Sequence, residues 1–178
     1  MGALKSAKIL KTFEFIINLI VSLCNLSVPL MMGVLYFLAS GLNYLWYFEY
    51  DDNGRRLLAT SVGMLIGAVV ILVLFILYLI FGIGYIKGCS RLQNGINPVV
   101  TYTTCKKRQT ADIVFDACLI VISPIMSFII ASTGNIDVTS FTIFGFVLAF
   151  IEIIALVLGI ISLTLFKKGK RQLYGDAF

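Results

Sequence analysis

The chain has 178 residues, of which 60% are hydrophobic and 13% charged, with a net charge of +5 and no histidine. Because soluble domains carry about 25% charged residues, this composition excludes an ordinary water-soluble protein and indicates one membrane domain over residues 1–178. The lack of histidine excludes histidine-ligated haem, histidine-based zinc sites and Ser-His or Cys-His catalysis within the chain.

The first apolar segment, 13–42, predicts a membrane-spanning helix that follows a basic N-terminus. Asn18 and Asn25 lie seven residues apart and share one face of this helix. Pro29 predicts a kink, since proline frees a backbone carbonyl. Glu14 lies near the start of the segment, where a carboxylate meets the positive end of the helix dipole, so we expect it to act in capping.

Two positions are candidates for lipidation. Gly2 and Ser6 fit the Met-Gly-x-x-x-Ser pattern of N-terminal myristoylation, and Cys89 follows the second apolar segment among basic residues, where palmitoylation occurs in eukaryotes. The alternatives are a chance match at Gly2 and an unmodified thiol at Cys89. No CxxC spacing supports a metal site, and a disulfide framework is not expected.

The first outer loop, 43–56, is rich in aromatic residues. Such residues anchor helices at the membrane interface, and the alternative is an aromatic and acidic binding face. The aromatic residues are Tyr44, Trp46, Tyr47, Phe48 and Tyr50.

The second predicted helix, 57–86, contains no charged residue and exceeds the roughly 20 residues that cross a bilayer of about 30 Å. Ala59, Gly63 and Gly67 recur at a spacing of four. This small-residue pattern allows two membrane helices to approach closely, so it predicts a packing seam within the chain or between copies.

The segment 87–109 carries basic residues and no acidic one, and we predict a cytoplasmic loop there. The third predicted helix, 110–132, contains Pro124 as a second kink candidate. Asp112 and Asp116 lie near its start, and helix capping is the favoured interpretation of both. The alternative for Asp116 is a position facing a cytoplasmic vestibule.

The fourth predicted helix, 141–166, has an ionisable side chain, Glu152, near its middle. Such a residue costs a few kcal/mol to insert, so it marks a candidate functional site. Gly145, Ala149 and Gly159 share its helix face and form a narrow small-residue stripe. We therefore expect Glu152 to point into the bundle.

Two interpretations of Glu152 remain open. The favoured one is a structural polar clasp, with Asn18 and Asn25 as hydrogen-bonding partners, and the other is a proton or cation site. A water-filled cavity at Glu152 would favour the ion site, whereas tight packing would favour the clasp.

The positions of the basic residues predict the topology. All lysines and arginines except Arg55 and Arg56 fall on the side that holds both termini and the segment 87–109. The predicted fold is therefore an all-α integral membrane four-helix bundle with both termini cytoplasmic. These residues also predict contact with anionic lipid, and their scatter along the chain does not favour nucleic acid.

The two halves of the chain carry similar features and predict an internal duplication. Cys24 precedes Pro29 in the first half, and Cys118 precedes Pro124 in the second. A true duplication would relate the halves by a pseudo-two-fold axis along the membrane normal. The alternative is that apolar hairpins of this composition look alike.

The layout resembles that of the MARVEL and claudin-like four-span proteins in topology alone. The external cysteine pair of claudins is missing, and Trp46 after Gly41 and Leu42 does not reproduce their Trp-Gly-Leu-Trp type signature. No residue roles follow from the resemblance.

The sequence contains no nucleophile with a base and no phosphate-binding glycine loop, so we expect neither an enzyme nor a bound cofactor. The first functional hypothesis is a non-catalytic accessory or scaffold subunit, or a homo-oligomer, that works by helix association. The alternative is a small ion channel or proton- or cation-coupled transporter that uses Glu152.

Overall fold

The computed structural model describes residues 2–47, 52–133 and 138–175, and within these ranges it contains helices and no strand. The helices are α1 (Gly2–Tyr47), α2 (Asp52–Gln93), α3 (Pro98–Thr133) and α4 (Val138–Tyr174). Each is long and apolar enough to cross a membrane. The prediction of an all-α protein with four helices long and apolar enough to span a membrane is therefore confirmed.

The predicted loop over 87–109 is wrong, because helices occupy most of it. Helix α2 continues to Gln93 and α3 begins at Pro98, which leaves a turn at 94–97. Gly95 and Asn97 adopt positive φ angles of 71° and 44° there, and proline suits the first turn of the new helix. Hydropathy marks where a segment stops being apolar, whereas the helix stops at its breaker residues.

The two loops predicted to lie outside are also shorter than predicted. Helix α1 runs to Tyr47 and α2 begins at Asp52, so the aromatic segment is partly helical. Tyr44 is exposed. The structure does not describe Phe48 and Tyr50, the side chains of Trp46 and Tyr47, or the loop at 134–137.

The four helices form a ring in chain order. Each of α2 and α3 packs on its two sequence neighbours, and α4 packs back on α1. Among these adjacent pairs, α2 and α3 have the least extensive contact. Helices α1 and α3 therefore occupy opposite corners and run parallel. The start of α1, the end of α4 and the 94–97 turn lie at the same end of the bundle, which we call the terminal end.

The terminal end contains an apolar and aromatic cluster. The Tyr85 and Phe166 rings lie 5.2 Å apart, and Cys89 is fully buried beside them. This burial contradicts the prediction of palmitoylation at Cys89, because an acyl donor must reach the thiol. Gly2, by contrast, is exposed at the start of α1, and its myristoylation stays a prediction.

The outer surface of the bundle is apolar. Large side chains such as Phe13, Val69, Phe128 and Phe150 are each more than half exposed. In water such a surface would drive aggregation, whereas in a bilayer it meets acyl chains. The exposed apolar surface therefore fits a multi-pass membrane protein.

Candidate functional site

A row of buried polar side chains runs along α1 and faces a similar row on α3. We call the two rows together the polar ladder. On each helix the residues recur at steps of three and four, which keeps them on one face. All six side chains are fully buried. The ladder residues are Lys11, Glu14 and Asn18 on α1, and Gln109, Asp112 and Asp116 on α3.

The first layer of the ladder is an ion cluster around Lys11. Its Nζ donates to Glu14 Oε1 at 2.5 Å and to Asp112 Oδ2 at 2.7 Å. Gln109 Nε2 donates to Glu14 Oε2 at 3.0 Å and to the Gly159 carbonyl at 3.3 Å. Two carboxylates thus share one ammonium, and the cluster carries one excess negative charge when both are ionised.

Aromatic rings enclose the ammonium group of Lys11. Its Nζ lies 5.5 Å from the centroid of the Tyr78 ring and 5.9 Å from that of Tyr85. Desolvated cations gain from such faces, by about 2 kcal/mol in favourable cases. The rings therefore help to hold a charge where lipid surrounds the bundle.

The second layer lies one helical turn deeper. Asn18 Nδ2 donates to Asp116 Oδ1 at 2.6 Å and to Tyr78 Oη at 3.1 Å. Asp116 Oδ2 has no hydrogen-bonding partner among the described residues. Phe15 and Phe115 stack on either side of Tyr78, at 5.6 and 5.3 Å between ring centroids.

Glu152 lies deeper still, and the structure buries it completely. Neither carboxylate oxygen has a hydrogen-bonding partner within the described part of the chain. Glu152 interacts electrostatically with Asp116 and Glu14. Glu152 precedes Gly159 by seven residues on α4. The helix rise therefore places it about 10 Å farther from the terminal end than the hydrogen bond between Gln109 and the Gly159 carbonyl.

The partners predicted for Glu152 are wrong. Asn18 is bonded to the second layer instead, and Asn25 Nδ2 donates to Ser123 Oγ at 3.0 Å. Both asparagines reach across the bundle axis to α3, because α1 and α3 occupy opposite corners. The clasp interpretation of Glu152 therefore lacks its hydrogen bonds.

The capping interpretation of the remaining carboxylates is also wrong. Helix α1 begins at Gly2 and α3 at Pro98, so Glu14, Asp112 and Asp116 all lie at least three turns inside their helices. The prediction placed the helix starts at the edges of the apolar segments. Asp116 is fully buried and does not face a vestibule.

The small residues of α4 pack inside the chain. Gly145, Ala149 and Gly159 are buried. A Cβ added at Gly145 would lie 2.9 Å from Cα of Pro124, and one at Gly159 would lie 3.2 Å from the Glu14 carboxyl carbon. The two glycines therefore allow α4 to approach α3 and the ion cluster closely.

The small residues of α2 behave differently. Ala59 and Gly63 are exposed, and no atom lies within 4 Å of a Cβ added at Gly63. Gly67 is half-buried, with Met126 Cε 3.5 Å from its added Cβ. The predicted seam is thus mostly unoccupied within one chain. The two kink candidates, Pro29 and Pro124, lie inside α1 and α3, which continue past them.

Sequence reasoning missed Lys11, Gln109, Tyr78 and Tyr85 as site residues. Lys11 was assigned to the basic flank that sets topology. The available signal was a repeated spacing of three, four and seven residues, present once on α1 and once on α3. It joins Lys11, Glu14, Asn18 and Asn25, and likewise Gln109, Asp112, Asp116 and Ser123.

This spacing also corrects the register of the proposed duplication. The contacts Asn18 to Asp116 and Asn25 to Ser123 both join residues 98 positions apart. Pairing Pro29 with Pro124 implies 95 instead, so the prolines do not occupy equivalent levels. The opposite corners of α1 and α3 fit a pseudo-two-fold axis, as they do any up-and-down bundle of four helices.

The arrangement can hold protons or a cation among oxygen atoms. No three His, Cys, Asp or Glu side chains of the described ranges are close enough to bind one metal ion together. Buried acids that outnumber their basic partners are a feature of proton and ion pathways. No family model matches the chain, and neither a curated protein nor a solved structure matches it.

Proposed function

We propose that this chain is a small multi-pass transporter or channel whose buried carboxylates exchange protons or monovalent cations. The observation that carries the proposal is Glu152, whose two oxygens are buried without a hydrogen-bonding partner among the described residues. The complete burial of Glu152 is the tight packing expected of a clasp, but a clasp also needs partners, whereas an exchange site needs a group that can accept a proton or cation.

The charges around Glu152 support this proposal. The ladder contains the ammonium group of Lys11, and Glu14 and Asp112 already share it. Asp116 and Glu152 remain without a cationic partner at contact distance in the described ranges. Buried charges are costly when unpaired, so protons or cations must compensate for these two carboxylates.

The proposed orientation places both termini in the cytoplasm. Basic residues cluster at the terminal end, which the positive-inside rule assigns to the cytoplasmic face. In this orientation the ion cluster of Lys11 lies nearer the cytoplasmic face than Glu152 does. The exposed basic side chains would contact anionic lipid on the same face.

The test uses purified protein reconstituted into vesicles that contain a pH-sensitive dye. We expect Glu152→Gln to lower proton or cation flux by at least about tenfold, because the amide cannot ionise. Glu152→Asp keeps the carboxylate and should retain more flux. Asp52→Asn makes the same acid-to-amide change at an exposed position and should have no effect. Full flux in Glu152→Gln, or no wild-type flux above protein-free vesicles, would overturn the proposal.

A second candidate function is helix association, as an accessory subunit or homo-oligomer without catalysis. The observation that favours it is the exposed face of α2, where Gly63 has no neighbour within 4 Å of an added Cβ. Val62 and Ile66 are exposed on the same helix. A second helix could pack closely on such a face in the membrane.

A further inference from the structure

An open cleft of about 300 Å³ separates α2 from α3. Its walls are apolar and include Leu77, Phe81, Val114 and Leu119. The cleft lies where the helix packing is weakest, and its rim is exposed on the lipid-facing surface of the bundle. A molecule dissolved in the bilayer can therefore reach it from the side.

Two polar residues, Asp112 and Tyr78, also line this apolar cleft. Asp112 Oδ2 accepts a hydrogen bond from Lys11, but Oδ1 is buried and has no hydrogen-bonding partner within the described residues. A buried carboxylate oxygen without a donor destabilises the folded state. Asp112 thus lines the cleft with one carboxylate oxygen that lacks a donor, and a ligand in the cleft would have to displace the atoms that cover this oxygen to bond to it.

The charge of the cleft favours a cationic donor. Asp112 and Glu14 share the single ammonium of Lys11 at contact distance, and Arg108 interacts with Asp112 only at longer range, so the two carboxylates have one cation in direct contact between them. The rings of Tyr78 and Phe115 stack at the same place, with centroids 5.3 Å apart, and aromatic faces attract cations. A neutral acyl chain could pack against the apolar walls of the cleft but could not pair with the negative charge of the carboxylate.

We propose that the cleft binds an amphipathic organic cation, with its ammonium group on Asp112 and its apolar part between α2 and α3. The ammonium donates to Asp112 Oδ1, and the tail packs among Leu77, Phe81 and Leu119. This proposal deepens the proposed function, on which it rests, by naming a substrate class. Binding is measured without transport, so the two proposals can fail separately.

The experiment measures binding of phenylbutylammonium to the full-length protein in lipid nanodiscs by isothermal titration calorimetry. Phenylbutanol serves as the uncharged probe, and empty nanodiscs correct for partition into lipid. We expect saturable binding of one ammonium probe per chain, and binding of the alcohol that is weaker by at least about tenfold.

Two pairs of variants locate the site. Asp112→Asn should weaken binding of the ammonium by at least about tenfold and remove the preference over the alcohol, whereas Asp112→Glu should keep it. Val114→Trp fills the cleft and should weaken binding of both probes. Val121→Trp is its matched control, since Val121 is on the same helix, equally exposed at 57%, and outside the cleft lining.

Each outcome decides the proposal. Equal binding of the alcohol and the ammonium would reduce the cleft to an apolar groove that lipid occupies, and overturn cation recognition. Unchanged binding in Asp112→Asn or in Val114→Trp would also overturn the assignment. Should Asp112→Asn fail to fold, Asp112→Glu and the two tryptophan variants still test the location, and the two probes still test the charge.

Discussion

Lys11 carries a positive charge into the packed interior, where it contacts Glu14 and Asp112 and faces two tyrosine rings. Removal of one member of a buried ion pair leaves an uncompensated charge, at a cost of about 3 to 5 kcal/mol. Lys11 therefore stabilises the fold mainly because it prevents Glu14 and Asp112 from being buried as unpaired carboxylates.

We expect Lys11→Met to destabilise the protein by about 3 to 5 kcal/mol, because methionine has a similar shape but no charge. Lys5→Met is the control, since Lys5 is exposed on the same helix and its replacement should change stability by less than about 0.5 kcal/mol. Thermal unfolding in detergent measures both variants.

The double variant Lys11→Met with Glu14→Gln should recover part of the loss, because it removes one of the orphaned charges. Equal melting temperatures for Lys11→Met and Lys5→Met would contradict the role of the buried ion cluster.

The burial of Glu152 could be predicted from its sequence, because small residues share its helix face. The burial of Lys11 was missed, since the positive-inside rule treats every lysine beside an apolar segment as a topology signal. The spacing of Lys11 with Glu14 and Asn18 contains the missing information. It distinguishes a lysine on the ladder face from Lys5.

At the scale of the helices, apolar segments predict their number but not their ends. The segments on either side of the 94–97 turn are polar, yet lysine, arginine and glutamine are good helix formers and the helices continue through them. The breaker residues Asn94, Gly95, Asn97 and Pro98 locate the turn within the wider basic segment.

The exposed face of α2 yields a prediction about association. If copies pack through this face, Gly63→Ile should convert an oligomer to a folded monomer, because the added side chain displaces no neighbour within the chain. Analytical ultracentrifugation in matched-density detergent gives the mass of the protein.

The matched control is Gly67→Ile, whose added side chain meets Met126 of the same chain. It should lower thermal stability instead. An unchanged mass for Gly63→Ile, or a monomeric wild-type protein, would rule out association through Gly63.

For the whole molecule, the ring of four helices explains why the functional contacts were hard to predict. Short connections make sequence neighbours pack together, so α1 with α2 and α3 with α4 are expected pairs. The ladder instead joins α1 to α3 across the bundle axis, through long polar side chains. A single sequence gives no measure of which polar faces meet there.

The orientation of the whole bundle can be tested with a membrane-impermeant maleimide on intact cells. We expect Asp52→Cys to react from outside, and Lys5→Cys to react only after permeabilisation, because basic residues favour the cytoplasmic face. Wild-type protein, with its four native cysteines, gives the background. Reaction of Lys5→Cys in intact cells would reverse the topology.

The Lys11 cluster also constrains how the chain enters the membrane during synthesis. Asp112 emerges from the ribosome 101 residues after Lys11, so the first hairpin must wait without it. Glu14, three residues along the same helix, provides a local counter-ion in the meantime. Helix α3 then brings Asp112 to Lys11 and Asp116 to Asn18, so closure of the bundle adds the contacts between α1 and α3 and ties assembly of the second hairpin to the first.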